Sequence, residues 1–348
     1  MSIDELLRYA VSQKASDLHL AVGRPPLVRV DDTLRDIPNE SPLTSESVEH
    51  LIMSIVEPKQ REEFLKKKDL DFSYAIADLT RFRINLHFER ENMGLVARII
   101  PPTLPTMEEI AMPPVVYRVL QENRGLILLT GPAGTGKSTS LAAMVNFVNE
   151  ERAQHIVTLE DPIEFVYTSK RCLIRQRELG ADMTSFEEGL RHVLRQDPDI
   201  VVIGEMRDLE TIATTITLAE TGHLAIGTLH TFNAAQTVDR IIDSFPDYQQ
   251  SQIRTQISMT LLCIIAQKLL PKRGGGRVAA REVLINTNAI ANLIRENKIS
   301  QIQSAIQMNA AEGMFTMDQD IVRLYRDGAI SRETAESHVS NRDVLEGV

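Results

Sequence analysis

The sequence predicts an α/β protein in two parts: a small α+β domain with an antiparallel sheet, then a domain of alternating strands and helices that ends in a mostly helical region. Three observations carry this. Within the strand expected at 80–88, residues 81–88 alternate between polar and apolar side chains. Residues 101–114 hold five of the fifteen prolines, a density that neither a helix nor a central strand accepts. Beyond them, short apolar runs alternate with segments of helical periodicity, the pattern of a parallel sheet covered by helices. The expected division is 1–100, a proline-rich linker at 101–114, a second domain at 115–273 and a helical region at 274–348.

In order, Ile3, Leu6, Leu7 and Ala10 share one helical face. Residues 17–22 and 27–30 read as strands around the turn residues Gly23, Arg24, Pro25 and Pro26, and residues 51–64 read as a helix. In 80–88, Phe82, Ile84, Leu86 and Phe88 take one sheet face and Arg81, Arg83, Asn85 and His87 the other; 94–100 is a further strand carrying Arg98. In the second part, 125–130, 155–159, 200–204 and 223–229 read as buried parallel strands. Helices are expected at 137–150, with Leu141, Met144, Val145 and Val148 on one face, and at 185–196, with Phe186, Leu190, Val193 and Leu194. The glycine run at 274–276 interrupts the pattern, a short strand follows near 282–285, and helices fill the remainder.

Composition narrows the function. The 348 residues are 43% hydrophobic and 25% charged, as in folded globular proteins. A net charge of −10 argues against non-specific nucleic-acid binding. Two cysteines, Cys172 and Cys263, support neither a disulfide framework nor a structural zinc site and suit a reducing compartment. The N-terminal residues lack the pattern of a signal peptide, and the most apolar stretch, 259–266, is far below the roughly 20 residues of a membrane-spanning helix. Membrane association is therefore expected through a partner or a surface.

Gly131, Pro132, Ala133, Gly134, Thr135, Gly136, Lys137 and Ser138 match G-x-x-x-x-G-K-[ST] between an apolar strand and an amphipathic helix. There, backbone N–H groups and the positive helix end meet a phosphate, Lys137 reaches the β and γ phosphates, and the Ser138 hydroxyl goes to Mg²⁺. A chance glycine-rich turn is the bland alternative. Residues 199–205 supply four apolar residues and then Glu205, which either holds the metal through a water or acts on the attacking water; a helix-start glutamate or an ion pair with Arg207 would also explain it. Glu160, Asp161 and Glu164 follow the strand at 155–159, where open α/β sheets place their ligands, and Glu164 is the candidate to orient or deprotonate water. A solvated acidic turn competes with that reading. His223 and His230 bracket another strand, and His230, at its C-terminal end, could sense the γ phosphate or be structural. Arg81, Arg83 and Arg98 suit phosphate oxygens and could act as fingers from a neighbouring subunit, or simply form a solvated sheet face.

The ordered blocks ASDLHL (15–20), RFRIN (81–85), GPAGTGKST (131–139), EDPIEF (160–165), GEMRDLET (204–211), ETGHLAIGTLHT (220–231) and GGGRVAA (274–280) resemble the type IV pilus retraction ATPases, the PilT family of the secretion-ATPase superfamily. The resemblance spans essentially the whole chain. It implies a PAS-like N-terminal domain, a RecA-like ATPase domain and a homohexamer with nucleotide between the two domains. It also implies that residues 131–139, Thr139 included, bind phosphate; that Glu164 is the catalytic glutamate; that Glu205 stands in an atypical Walker B; that Glu160 lies in an Asp box and His223 and His230 in a His box; and that the RFRIN arginines reach the nucleotide. Implied partners are an inner-membrane pilus platform protein and a paralogous retraction ATPase, with the motor in the cytoplasm at the inner membrane. The assembly ATPases of the superfamily carry a four-cysteine zinc motif that this chain lacks. Residues 289–296, AIANLIRE, resemble the retraction signature AIRNLIRE, with Ala291 where arginine is expected; Ile290, Leu293 and Ile294 keep an apolar face. An accessory, PilU-like motor is the alternative subtype.

Overall fold

The structure is a computed structural model that describes residues 1–30, 33–100 and 103–345. Pro101 and Pro102 of the proline-rich stretch and residues 346–348 of the C-terminal region lie outside the described residues. The chain divides into two compact units, Met1–Thr103 with Glu164–Val166, and Leu104–Ile163 with Tyr167–Val348.

In the first unit, α1 (Ile3–Ser12) precedes β1 (Asp17–Leu20), β2 (Leu27–Val30) and β3 (Thr33–Asp36). Next come α2 (Ser45–Met53), α3 (Pro58–Lys67), β4 (Asp69–Ile76), β5 (Thr80–Glu89) and β6 (Asn92–Ile99). The strands form an antiparallel sheet in the order β3-β2-β1-β6-β5-β4. Phe82, Ile84 and Leu86 of β5 are fully buried with Leu6, Leu7, Ile52 and Phe64 from the helices, as the alternation requires. The helix expected over 51–64 is instead two. Pro58 has no N–H to continue the first helix and sits at the first turn of the second, where none is needed. Strands β3 and β4 carry charged residues on exposed positions and escape the apolar pattern.

The second unit contains α4 (Pro114–Val119), β7 (Gly125–Thr130), α5 (Lys137–Glu151), β8 (His155–Glu160), β9 (Leu173–Glu178) and α6 (Phe186–Val193). It continues through β10 (Ile200–Ile203), α7 (Leu209–Glu220), β11 (Leu224–Leu229), α8 (Ala234–Asp243), α9 (Asp247–Thr260), β12 (Leu261–Pro271) and β13 (Arg277–Ile285). The helices α10 (Asn288–Arg295), α11 (Ile302–Met308), α12 (Met317–Arg326) and α13 (Arg332–His338) close the chain. The sheet order is β13-β12-β7-β11-β10-β8-β9, parallel except for β13. Both faces are covered: Leu126 and Leu128 of β7 enter one core with α6–α10, and Ile127 and Leu129 enter the other with α4 and α5.

Two features depart from the sequence pattern. The glycine run at 274–276 does not end the sheet; all three glycines have positive φ and turn the chain between β12 and β13, so residues 277–285 form a full edge strand. Residues 261–271, to which the sequence pattern assigns no element, form β12, which pairs with β7 on one side and β13 on the other. Met107 and Met112 of the proline-rich stretch are buried in the core beside α4 and α5.

Candidate active site

Parallel pairing of β7, β11, β10 and β8 brings their C-terminal ends to one edge of the sheet. The phosphate loop follows β7, Glu205 follows β10, His230 follows β11, and Glu160 is the last residue of β8. Four segments separated by as many as 100 residues thus share one edge.

The loop geometry is that of a phosphate cradle. Gly131, Gly134 and Gly136 all have positive φ, and Gly136 is the left-handed N-cap of α5. A Cβ on Gly131 would stand 2.4 Å from the Gln267 carbonyl oxygen, so only glycine fits there. The Lys137 Nζ donates to the carbonyls of Gly131 at 2.6 Å and Pro132 at 3.0 Å, and Thr135 Oγ1 donates to Pro132 at 2.9 Å. Ala133 and Gly134 are exposed at the tip, and Ser138 and Thr139 stand half-buried in the first turn of α5.

Glu205 is built by side chains instead. Arg207 Nη2 lies 2.8 Å from Glu205 Oε2, His230 Nε2 lies 3.1 Å from Glu205 Oε1, and Arg207 Nη1 lies 3.5 Å from Asp161 Oδ2. Burial pushes the Glu205 carboxyl upward, but the Arg207 guanidinium and His230 outweigh it and hold the group below the usual glutamate range. The ion pair with Arg207, one of the sequence alternatives, is therefore real and keeps Glu205 ionised. Glu205, Arg207 and His230 line a cavity of about 550 Å³ that also includes Phe232 and Asp239. Glu160 is buried and accepts from Thr158 Oγ1 at 2.6 Å and Gln176 Nε2 at 2.9 Å.

Of the other candidates, His223 lies in the second unit and Glu164, Arg81, Arg83 and Arg98 in the first. His223 precedes β11, near Thr221 Oγ1 and the Leu218 carbonyl, each at 3.2 Å. It lies at the opposite end of the strand from His230, about 20 Å along it. Glu164 is exposed and belongs to the first unit. In that unit's sheet, Arg83 stands directly opposite Arg98, and Arg98 Nε bonds Asp17 Oδ1 at 3.1 Å. The Arg81 Nε is buried and, among the described residues, has no hydrogen-bond partner. Ala291 is buried on α10 beside Ile290 and Ile294, so that helix turns position 291 toward the core.

Several site residues escape the motif reading. Gln267 on β12 and Arg281 and Glu282 on β13 are at most 3% exposed, and Gln267 contacts the phosphate loop directly. Their signal in the sequence is a polar residue inside an apolar strand run, CIIAQKLL and VAAREVL.

The family model of type II/IV secretion system proteins matches residues 1–335. The chain belongs to that family, in its PilT branch. It is 50% identical over 335 residues to the type IV pilus retraction ATPase PilT of Pseudomonas aeruginosa, covering 96% of this chain and 97% of that one. To the type IV pilus ATPase PilU of the same organism it is 37% identical, over 99% of this chain and 90% of that one. A crystal structure of the pilus retraction motor PilT with bound ADP superposes with a TM-score of 0.94 at 42% identity, covering both chains completely. Among the described residues, no helix of this PilT-family chain is long and apolar enough to cross a membrane.

Proposed function

We propose that the protein is an ATP-hydrolysing motor that drives type IV pilus retraction. The observation that carries this is the phosphate loop sharing one sheet edge with an ionised Glu205. Backbone N–H groups of 134–138 and Lys137 bind the β and γ phosphates, and Glu205, with His230 against it, takes up proton and charge changes near the attacking water. The oxygen donors of Ser138 and Glu205 suit Mg²⁺, which when bound spreads the phosphate charge; with both Glu205 oxygens engaged by Arg207 and His230, that carboxylate fits the cation best through water. Glu164 orients the water, and Glu160 and Thr139 support the nucleotide.

We further read the first unit as PAS-like and the second as RecA-like, assembled as a homohexamer in which Arg81, Arg83 and Arg98 are delivered to the nucleotide. Such a motor works at the cytoplasmic face of the inner membrane on the pilus platform protein. The higher identity to PilT than to PilU supports a principal rather than an accessory retraction motor.

The test is Mg-ATP hydrolysis per subunit across a protein dilution series, with oligomeric mass recorded at each point and Arg81→Ala and Arg83→Ala alongside. Specific activity is expected to fall as the oligomer dissociates, with both variants slow while still assembled. Activity per subunit that stays constant down to the monomer, and is indifferent to these arginines, overturns the assembled-motor reading.

A further inference from the structure

A buried chain of hydrogen bonds runs from the phosphate loop to the proline-rich stretch. Gln267 is 3% exposed; its Nε2 donates to the Thr135 carbonyl at 2.7 Å, and its Oε1 accepts from Ser140 Oγ at 2.7 Å and from Arg281 Nε at 3.0 Å. Arg281, 2% exposed, then spends its two terminal nitrogens on the carbonyls of Ala111 and Ile110, each at 3.0 Å. The loop closes tightly on this amide, since a Cβ on Gly136 would stand 3.0 Å from Gln267 Nε2.

The construction is unusual for a fold support. The guanidinium donates to three neutral oxygens, two of them backbone carbonyls, with the Asp320 carboxylate as its nearby countercharge. The neighbouring backbone N–H of Arg281 is anchored separately, on Asp320 at 2.7 Å. One amide, by its two ends, therefore senses the turn at Thr135, the first helical turn at Ser140 and the arginine that holds residues 110–111. The phosphate cradle lies on one side of that amide, and residues 110–111 lie on the other.

We propose that Gln267 and Arg281 are positioning residues that couple nucleotide occupancy of the phosphate loop to residues 104–114, the stretch that follows the first unit. The inference rests on the ATPase reading and deepens it: it names the path by which a bound nucleotide is felt outside its own loop. Coupling of this kind is reciprocal, so the hold on residues 110–111 also sets the loop's affinity.

Two conservative variants separate the two ends. Gln267→Glu keeps the acceptor for Ser140 and Arg281 but removes the donor to Thr135. Arg281→Lys keeps the charge but replaces the planar fork with a single ammonium that does not span both carbonyls. Amide hydrogen exchange of the full chain, with and without ADP, reads peptides covering 104–114 and 129–140, with β10 amides as the check of fold. In the wild type, ADP is expected to slow exchange in both peptides. In Arg281→Lys the slowing at 129–140 persists while that at 104–114 shrinks at least about fivefold, and kcat falls more than KM changes. In Gln267→Glu, KM and the Kd for ADP rise about tenfold.

Slowing at 129–140 without any at 104–114 in the wild type overturns the coupling, whatever the variants do. Slowing at 104–114 that survives in Arg281→Lys also overturns it, because that stretch then meets the nucleotide without the bridge. If the wild type neither hydrolyses ATP nor responds to ADP in either peptide, the ATPase reading itself fails and the bridge with it. If a variant loses its β10 protection, the wild-type pattern and the remaining variant decide.

Discussion

The phosphate loop and the Glu205 cluster sit on the same sheet edge but are made of different material. The loop is mostly backbone: three glycines at positive φ, a helix N-terminus and one lysine that folds onto the loop's own carbonyls. The cluster is entirely side chain, with Glu205, Arg207 and His230 contributed after two different strands and Asp161 after a third. A backbone site is specified by local conformational needs and binds any polyphosphate that fits. A side-chain site exists only when the strands are in register, and it adds what the loop lacks, a charge that answers protons.

That contrast breaks most sharply at Lys137. Lys137→Ala is expected to lower kcat/KM for ATP at least about 10²-fold, through lost binding as well as lost turnover. Measured nucleotide affinity and rate together check it, and wild-type affinity in the variant would remove the loop from the reaction. Glu205→Gln keeps the shape of the cluster but not its charge. Here kcat is expected to fall about 10²- to 10³-fold while nucleotide affinity stays within about threefold. An affinity loss as large as that of Lys137→Ala would instead put Glu205 mainly on the cation.

The smallest effect concerns pH. Because Glu205 titrates below an ordinary glutamate, its link to Arg207 stabilises the fold fully above the ordinary glutamate range and loses that contribution as pH falls through the depressed value. Arg207→Ala is expected to melt slightly below the wild type near pH 7, with the two melting curves converging as pH falls below about 4. The pair is half-exposed, so the difference at neutral pH should be a degree or two at most, of the order seen for surface pairs. A gap that persists unchanged into acid would assign the effect to packing of the arginine stem rather than to the ion pair.

Residues 131–138 announce the loop without a fold, because each glycine and the lysine answer a requirement met within eight positions. The strand at 80–88 is legible for the same reason: a period of two is a local property, and the buried Phe82, Ile84 and Leu86 match it. Residues 51–64 misled because their apolar spacing outweighed Pro58, which marks a helix start as readily as a break. Residues 261–271 receive no element from the sequence, because a mostly buried apolar run has no period to show. His223 and His230 look symmetric around one strand, yet a parallel sheet makes its two ends chemically different, and one of them joins the Glu205 edge.

By itself the sequence determined the phosphate cradle, the family, and the two-part α/β organisation, since glycine conformations, motif spacing and periodicity act over a few residues. The tertiary structure decided which charges meet. Arg207 and His230 reach Glu205, and Gln267 and Arg281 reach the loop and residues 110–111, through pairings between strands far apart in the chain. The reason is physical: a backbone torsion is a property of its own residue and neighbours, whereas a hydrogen bond from a side chain to a carbonyl 132 residues away depends on the register of the sheet that joins them.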